Sequence, residues 1–358
     1  MNRRWMCGDI WLNILPFFDH AKLGLNLALL SERYDVLVDA HFDGKSELTL
    51  WRTIRIHKDE GPKATLSVRI DDNFVAFPLP DHPLPNKIRF RIISIGYIDH
   101  SVITFLRSNK HIWDRMGTKL EFNVNTNETE DGQRIWDVLA RQIWPIFATN
   151  IRHLCFYDSG NHLDKLRRRT SPTLLTDSNQ LISIESCGLL PDAIGDDGPN
   201  ATAGQALSKW LHTPTKDGQP KEFCSYLALM EINNWFDNHK QTFLHATTSV
   251  SYNVRIIFYK TTTPIEPFEL VNERTKEKLT FMKKDGGGEL LNAWLLKRCP
   301  IIVGETAAAV QKDENLDHLN GVHFRLYDDY CIGPMDPPDQ SDEKLFSTPG
   351  PSDQQKNE

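Results

Sequence analysis

The sequence predicts a mixed α+β / α/β protein. It has a helical N-terminal segment, a short antiparallel β-meander, and then an irregular leucine-rich-repeat-like β-α array. Three observations carry this. Residues 9–42 place apolar side chains at helical spacing. Residues 47–80 alternate apolar with polar, as half-buried strands do. From Lys87 onward a strand-like run followed by an amphipathic helix keeps recurring. The runs start roughly 30 residues apart, the period of a repeat in which each strand–helix unit buries its apolar face against the next. The expected units are 1–46, 47–86, 87–333, and a polar tail at 334–358 too poor in apolar residues to fold.

In the first unit Ile10, Trp11, Ile14, Leu15 and Phe18 form one apolar stripe. Asp19 can cap a second helix from about His20, which would carry Leu23, Leu27, Leu30 and Tyr34 on one face. Val36, Leu37, Val38 and Phe42 add further apolar surface. So short a segment cannot bury all of this alone, which points to a partner or to packing on the rest of the chain. The expected meander strands are Glu47–Ile56, Thr65–Ile70 and Asn73–Phe77, with turns at Gly61-Pro62 and Asp71-Asp72-Asn73. Pro78, Pro80, Pro83 and Pro85 then stop regular structure.

The array strands are expected at Ile88–Ile95, Lys119–Val124, Ile151–Phe156, Leu181–Glu185, Glu222–Leu227 and Tyr252–Phe258. Helices are expected between them at Asp99–Met116, Gly132–Thr149, His162–Thr176, Ala201–His212 and Ile232–Thr247. Asp192–Asn200 reads as a solvated loop. Phe268–Asn272 and Lys278–Met282 read as strands that cover the end of the array. A glycine turn at Gly286-Gly-Gly288 then precedes an expected helix, and His323–Tyr327 reads as a last strand.

Composition excludes several function classes. The net charge of -7 speaks against a nucleic-acid partner. No apolar run is long enough for a membrane helix, and Asp9, Asn13 and Asp19 interrupt any apolar signal core. The six cysteines are scattered with no CxxC pair, which fits reduced thiols in the cytoplasm or nucleus. No enzyme chemistry, metal or other cofactor is expected. Asp192, Asp196 and Asp197 lack EF-hand spacing, and the glycine turn lacks the ending of a phosphate loop. No nucleophile elbow or zinc-protease motif occurs. Arg167, Arg168 and Arg169 are read as a solvated face or a substrate contact for an acidic or phosphorylated target. Trp113, Trp136, Trp144, Trp210 and Trp235 are read as packing between repeats, with one or two serving as binding anchors.

Asp9–Val38 reads DIWLNILPFFDHAKLGLNLALLSERYDVLV and resembles the F-box motif. Ile10–Phe18 matches its first helix, and Asp19 with Leu23 matches the start of the second. Leu30-Ser-Glu-Arg-Tyr34 matches its ending, and Cys7-Gly8 stands where the motif has Leu-Pro. The segments FVAFPLPDHPLPNKIRF, RQIWPIFATNIRHL and PIEPFELVNERTKEKLTF extend the resemblance to an expanded family of nematode F-box proteins. The resemblance implies a ubiquitin-ligase substrate adaptor. Its F-box would bind a Skp1-like protein and, through it, a cullin, while the array holds an unknown protein target. The residues that would meet Skp1 are Ile10, Leu12, Ile14, Leu15, Leu23, Leu27 and Leu30. The alternative is a protein-binding module whose degenerate F-box no longer binds Skp1.

Overall fold

The structure is a computed structural model. It describes residues 7–18, 23, 27–43, 50–58, 63–70, 73–84, 89–114, 118–124, 130–156, 161–227, 233–258, 265–284, 292–301 and 321–326. The 334–358 tail, Cys331 and the glycines at 286–288 lie outside the described residues, as do Asp19 and His20 of the expected second helix.

Helix α1 (Gly8–Ile14) runs into a 3-10 turn at Leu15–Phe17, where Pro16 sits in the first turn and has no amide hydrogen to lose. A second 3-10 turn, Ala28–Leu30, stops at Ser31, whose backbone is extended. Helix α2 (Glu32–Asp43) then begins afresh. The Ser31 carbonyl accepts from Tyr34 and Asp35 at 2.9 and 3.1 Å, so Ser31 stands at the helix entrance, a position serine favours. Leu30 and Tyr34 therefore lie on different elements, not on one helix as the spacing suggests.

Among the described residues thirteen strands form one mixed sheet. They are β1 (Leu50–Lys58), β2 (Ala64–Ile70), β3 (Asn73–Pro78), β4 (Arg89–Ile95), β5 (Thr118–Val124), β6 (Ile151–Phe156) and β7 (Ser183–Cys187). They continue with β8 (Lys221–Leu227), β9 (Tyr252–Phe258), β10 (Phe268–Asn272), β11 (Glu277–Lys283), β12 (Asn292–Pro300) and β13 (Gly321–Leu326). The order is β10-β11-β12-β9-β8-β7-β6-β5-β13-β4-β1-β2-β3.

From β5 to β9 each strand pairs in parallel with the next, in sequence order. Helices run between successive strands from β4 to β9. They are α3 (His100–Ser108), α4 (Lys110–Asp114), α5 (Glu130–Val138), α6 (Trp144–Phe147), α7 (Asn161–Arg169), α8 (Leu174–Asp177), α9 (Ala203–Leu211) and α10 (Asn233–His245). In β8 and β9 burial alternates residue by residue, so one face is covered and the other half-exposed. The covered face joins Leu120, Leu154, Ile184, Phe223 and Val254 in one register row. Trp113, Trp136 and Trp210 fill the space beneath the helices.

Three expectations are corrected. The meander is not a separate unit, because β1 pairs in parallel with β4 and continues the array's sheet. The segment after the glycines is a strand rather than a helix. Trp294, Leu296 and Arg298 point into the core while Ala293, Leu295 and Lys297 do not, a period of two. The expected last strand is present as β13, which inserts in parallel between β4 and β5. The span Gly132–Thr149 is not one regular helix. Leu139–Ile143 widens into a π turn just ahead of Pro145, whose ring cannot pack against a regular α-turn and which brings no amide hydrogen.

The Asp192–Asn200 loop is exposed to solvent at Asp192, Ile194 and Asp196, as expected, and its backbone is also clasped onto α9. Asp192 and Asp196 donate their amides to the Gly204 and Gln205 carbonyls at 3.0 and 3.1 Å. A Cβ on Gly195 would stand 2.6 Å from the Lys209 backbone nitrogen, a close approach only glycine allows. Gly195→Val is expected to cost about 1–3 kcal/mol by pushing the loop off the helix. Urea unfolding checks this, and an unchanged midpoint would show that the close approach is dispensable.

Candidate functional site

The N-terminal helices form a small unit with its own apolar cluster. Leu15, Leu23, Ala28 and Val38 are buried together, with Trp11, Leu27 and Leu37 packed around them. Trp11 meets Tyr34 edge-on at 5.1 Å, tying α1 to α2. This cluster is separate from the core beneath the sheet. Among the described residues, the N-terminal helices therefore do not bury their apolar surface by packing on the array.

The seven residues named from the sequence divide into three groups. Leu15 and Leu23 are fully buried and belong to the unit's own core. Ile14 and Leu27 are half-buried. Ile10, Leu12 and Leu30 face solvent, at 48, 37 and 68% exposure. Three residues outside that set join them: Phe17 at 87%, Phe18 and Val36. Helix α1 buries no residue at all. Six large apolar side chains exposed on so small a unit are more than scattered surface residues explain. Phe17 escapes a spacing argument because it lies in the 3-10 turn, off the stripe that helical periodicity picks out. At the entrance of α1, Cys7 is exposed and extended, and its side chain caps nothing.

The three consecutive arginines are not one surface patch. Arg167 is buried and donates to the carbonyls of Pro172 and Ala201 at 3.0 and 2.9 Å. Arg169 is half-buried and bridges to Asp137 at 2.9 Å. Arg168 alone faces solvent. Nor do the tryptophans supply exposed anchors. Trp113, Trp136, Trp144 and Trp210 are buried, and half-buried Trp235 donates to the Pro191 carbonyl at 2.7 Å.

Among the described residues the remaining titratable groups are spread over several places in the fold. A cavity of about 340 Å³ on the helix side is lined by Trp144, Thr149, Thr170, Ser171 and Asp177, among others. Thr170 donates to the Leu166 carbonyl, and Asp177 accepts from the hydroxyls of Thr173 and Ser171 at 2.6 and 3.5 Å, with no histidine or lysine among the lining residues. Burial, helped by the Glu185 carboxylate, pushes the Cys224 thiol up to about 12, which keeps it protonated. Burial lowers His153 and His239 to about 4, so both are neutral packing groups at pH 7. Cys7, Cys224 and Cys299 are free thiols. Among the described residues no cluster of His, Cys, Asp or Glu could hold a metal ion, and no helix is long and apolar enough to cross a membrane. No protein-family model, curated protein or solved structure matches the chain.

Proposed function

We propose that the chain is the substrate-recognition adaptor of a Skp1–cullin–F-box type ubiquitin ligase. Its N-terminal unit would dock a Skp1-like protein, and its leucine-rich-repeat-like array would hold a protein target. The supporting observation is the exposed set Ile10, Leu12, Phe17, Leu30 and Val36 on a unit that already has a core of its own. Apolar side chains in excess of a local core are anchors for a partner's pockets. That these positions overlap the F-box resemblance makes Skp1 the partner of choice. An adaptor of this kind has no catalysis to perform and works in the cytoplasm or nucleus.

The test uses purified proteins. Ile10→Asp with Leu30→Asp is expected to weaken binding of Skp1 by more than about a hundredfold while leaving the melting temperature in place. Leu15→Asp is expected to unfold the unit instead, because it buries a charge in that core. Wild-type protein that fails to bind Skp1, or an Ile10/Leu30 double variant that still binds, sinks the reading.

One observation favours a second reading, a protein-binding module with a degenerate F-box. Cys7-Gly8 stands in place of the usual Leu-Pro, and α1 starts with no side-chain cap. On that reading the exposed set still binds a protein, and isothermal titration with Skp1 gives no heat.

A further inference from the structure

The outer faces of the covering helices carry a band of unanswered positive charge. Arg134 on α5, Arg141 on the π turn, Lys165 and Arg168 on α7, and Lys209 on α9 face solvent or are half-exposed. None has a side-chain hydrogen bond or ion pair among the described residues. Contacts between helices show that these faces adjoin. Arg107 on α3 donates to Gln142 at 2.6 Å, and Arg169 on α7 bridges to Asp137 on α5 at 2.9 Å. Arg167 reaches across to the Ala201 carbonyl, just before α9. On these helices Asp137 and Asp164 are each already paired, with Arg169 and Arg167 respectively, and Glu130 and Asp131 stand in the first turn of α5.

The opposite charge lies at the end of the chain. Residues 327–358 hold eight carboxylates against two lysines, a net -6 of the chain's -7. They begin directly after Leu326, which pairs with Val124 at the end of β5. Helix α5 starts soon after that same strand end, at Glu130. The tail therefore leaves the sheet at the end where α5 begins. Asp336, Asp339, Asp342 and Glu343 follow within an extended reach of about 30–55 Å, several helix widths of roughly 10 Å each.

We infer that this band is a docking surface for an aspartate-rich segment, and that its occupant in the free protein is the chain's own 327–358 tail. Tethering holds the tail's carboxylates at an effective concentration on the order of millimolar, ahead of acidic partners present at lower levels. The contact is between solvated charges, so salt screens it. An acidic partner that uses the band must first displace the tail. Nucleic acid is disfavoured by the same charge count, since its phosphates would meet the tail beside the band. The inference does not depend on Skp1 binding.

The test is carbodiimide coupling of the full chain at low concentration, which joins carboxylates to lysines only while they touch. Cross-links within one chain from residues 336–343 to Lys165 or Lys209 are expected at low salt, and they are expected to vanish at about 0.5 M salt. They should also be lost in Arg134→Gln/Arg141→Gln/Arg168→Gln. A fluorescent poly-aspartate probe is expected to bind the tail variant Asp336→Asn/Asp339→Asn/Asp342→Asn/Glu343→Gln about tenfold or more tightly than wild type, as release of a bound competitor requires. The inference is overturned by absence of these cross-links at low salt, by their persistence in the arginine variant, by equal probe affinity for wild type and tail variant, or by a duplex DNA probe that outcompetes poly-aspartate on the tail variant.

Discussion

Arg298→Leu is expected to destabilise the protein by about 3–5 kcal/mol, because it strands a buried carboxylate. Arg298 and Glu277 face each other on β12 and β11, both essentially sealed from solvent, with Nη2 to Oε2 at 2.6 Å and Nε to Oε2 at 3.2 Å. The pair is fully furnished. The Ser249 hydroxyl and Val250 amide donate to Oε1 at 2.9 and 2.7 Å, and Nη2 also reaches the Thr248 carbonyl at 2.8 Å. These bonds pin the segment between α10 and β9 to the antiparallel end of the sheet. Removing either partner leaves the other charged and buried, which costs far more than a surface ion pair contributes.

Glu277→Leu should therefore be as damaging as Arg298→Leu, whereas the double leucine variant should be more stable than either single one. Additive losses across the double-mutant cycle, measured by chemical denaturation, would refute the coupling. The pH dependence has a definite sign. Burial raises the Glu277 pKa, but hydrogen bonds from Arg298 and Ser249 and the guanidinium charge outweigh it, leaving it below the ordinary 4.5. A carboxyl depressed in the folded state contributes stability above its unfolded pKa and loses it as pH falls through the folded value. Wild type should lose this contribution below about pH 4.5, and Glu277→Leu should show no such loss.

The array strands were legible because their periodicity is strong and local. Tyr252–Phe258 begins and ends where alternation of apolar and polar residues places it, and Ile151–Phe156 where its short, largely apolar run does. The insertion of β13 was not legible. Its register with β4 and β5 is a long-range pairing, and six residues of alternating pattern do not say which neighbours they will find. The segment 292–300 misled for a related reason. Trp294, Leu295 and Leu296 fit a helix face as well as a strand, and only the pairing with β9 and β11 decides. On the N-terminal helices, periodicity found the apolar stripe but could not divide it into buried and exposed positions. Leu15 and Leu30 are equivalent as letters, yet one is fully buried and the other 68% exposed, because the chain breaks at Ser31. Phe17, the most exposed of the set, lies where no regular period applies.

Arg167→Leu is expected to cost about 2–4 kcal/mol, whereas Arg168→Ala next to it should change stability by less than about 0.5 kcal/mol. Neighbouring helical residues are rotated by about 100°, so three consecutive arginines cannot share one environment. Arg167 points inward at 3% exposure. Its planar fork joins three backbone pieces: the Pro172 carbonyl after α7, and the Ala201 and Gly198 carbonyls of the loop that leads into α9. It also pairs with Asp164 at 3.2 Å. That loop ends in Thr202, whose hydroxyl accepts from the Gln205 amide at 3.1 Å while the Gln205 side chain accepts from the Thr202 amide at 2.9 Å, closing a capping box. Leucine would fill part of the volume but take away the donor that Arg167 gives to the Pro172 and Ala201 carbonyls, and a buried acceptor left unpaired costs about 1–3 kcal/mol. Lysine keeps the charge but cannot make the fork, so Arg167→Lys should fall between wild type and Arg167→Leu. Thermal unfolding of the three variants ranks them. Equal melting temperatures for Arg167→Leu and Arg168→Ala would show that the inward fork carries no stability, and would return Arg167 to the pool of candidate surface contacts.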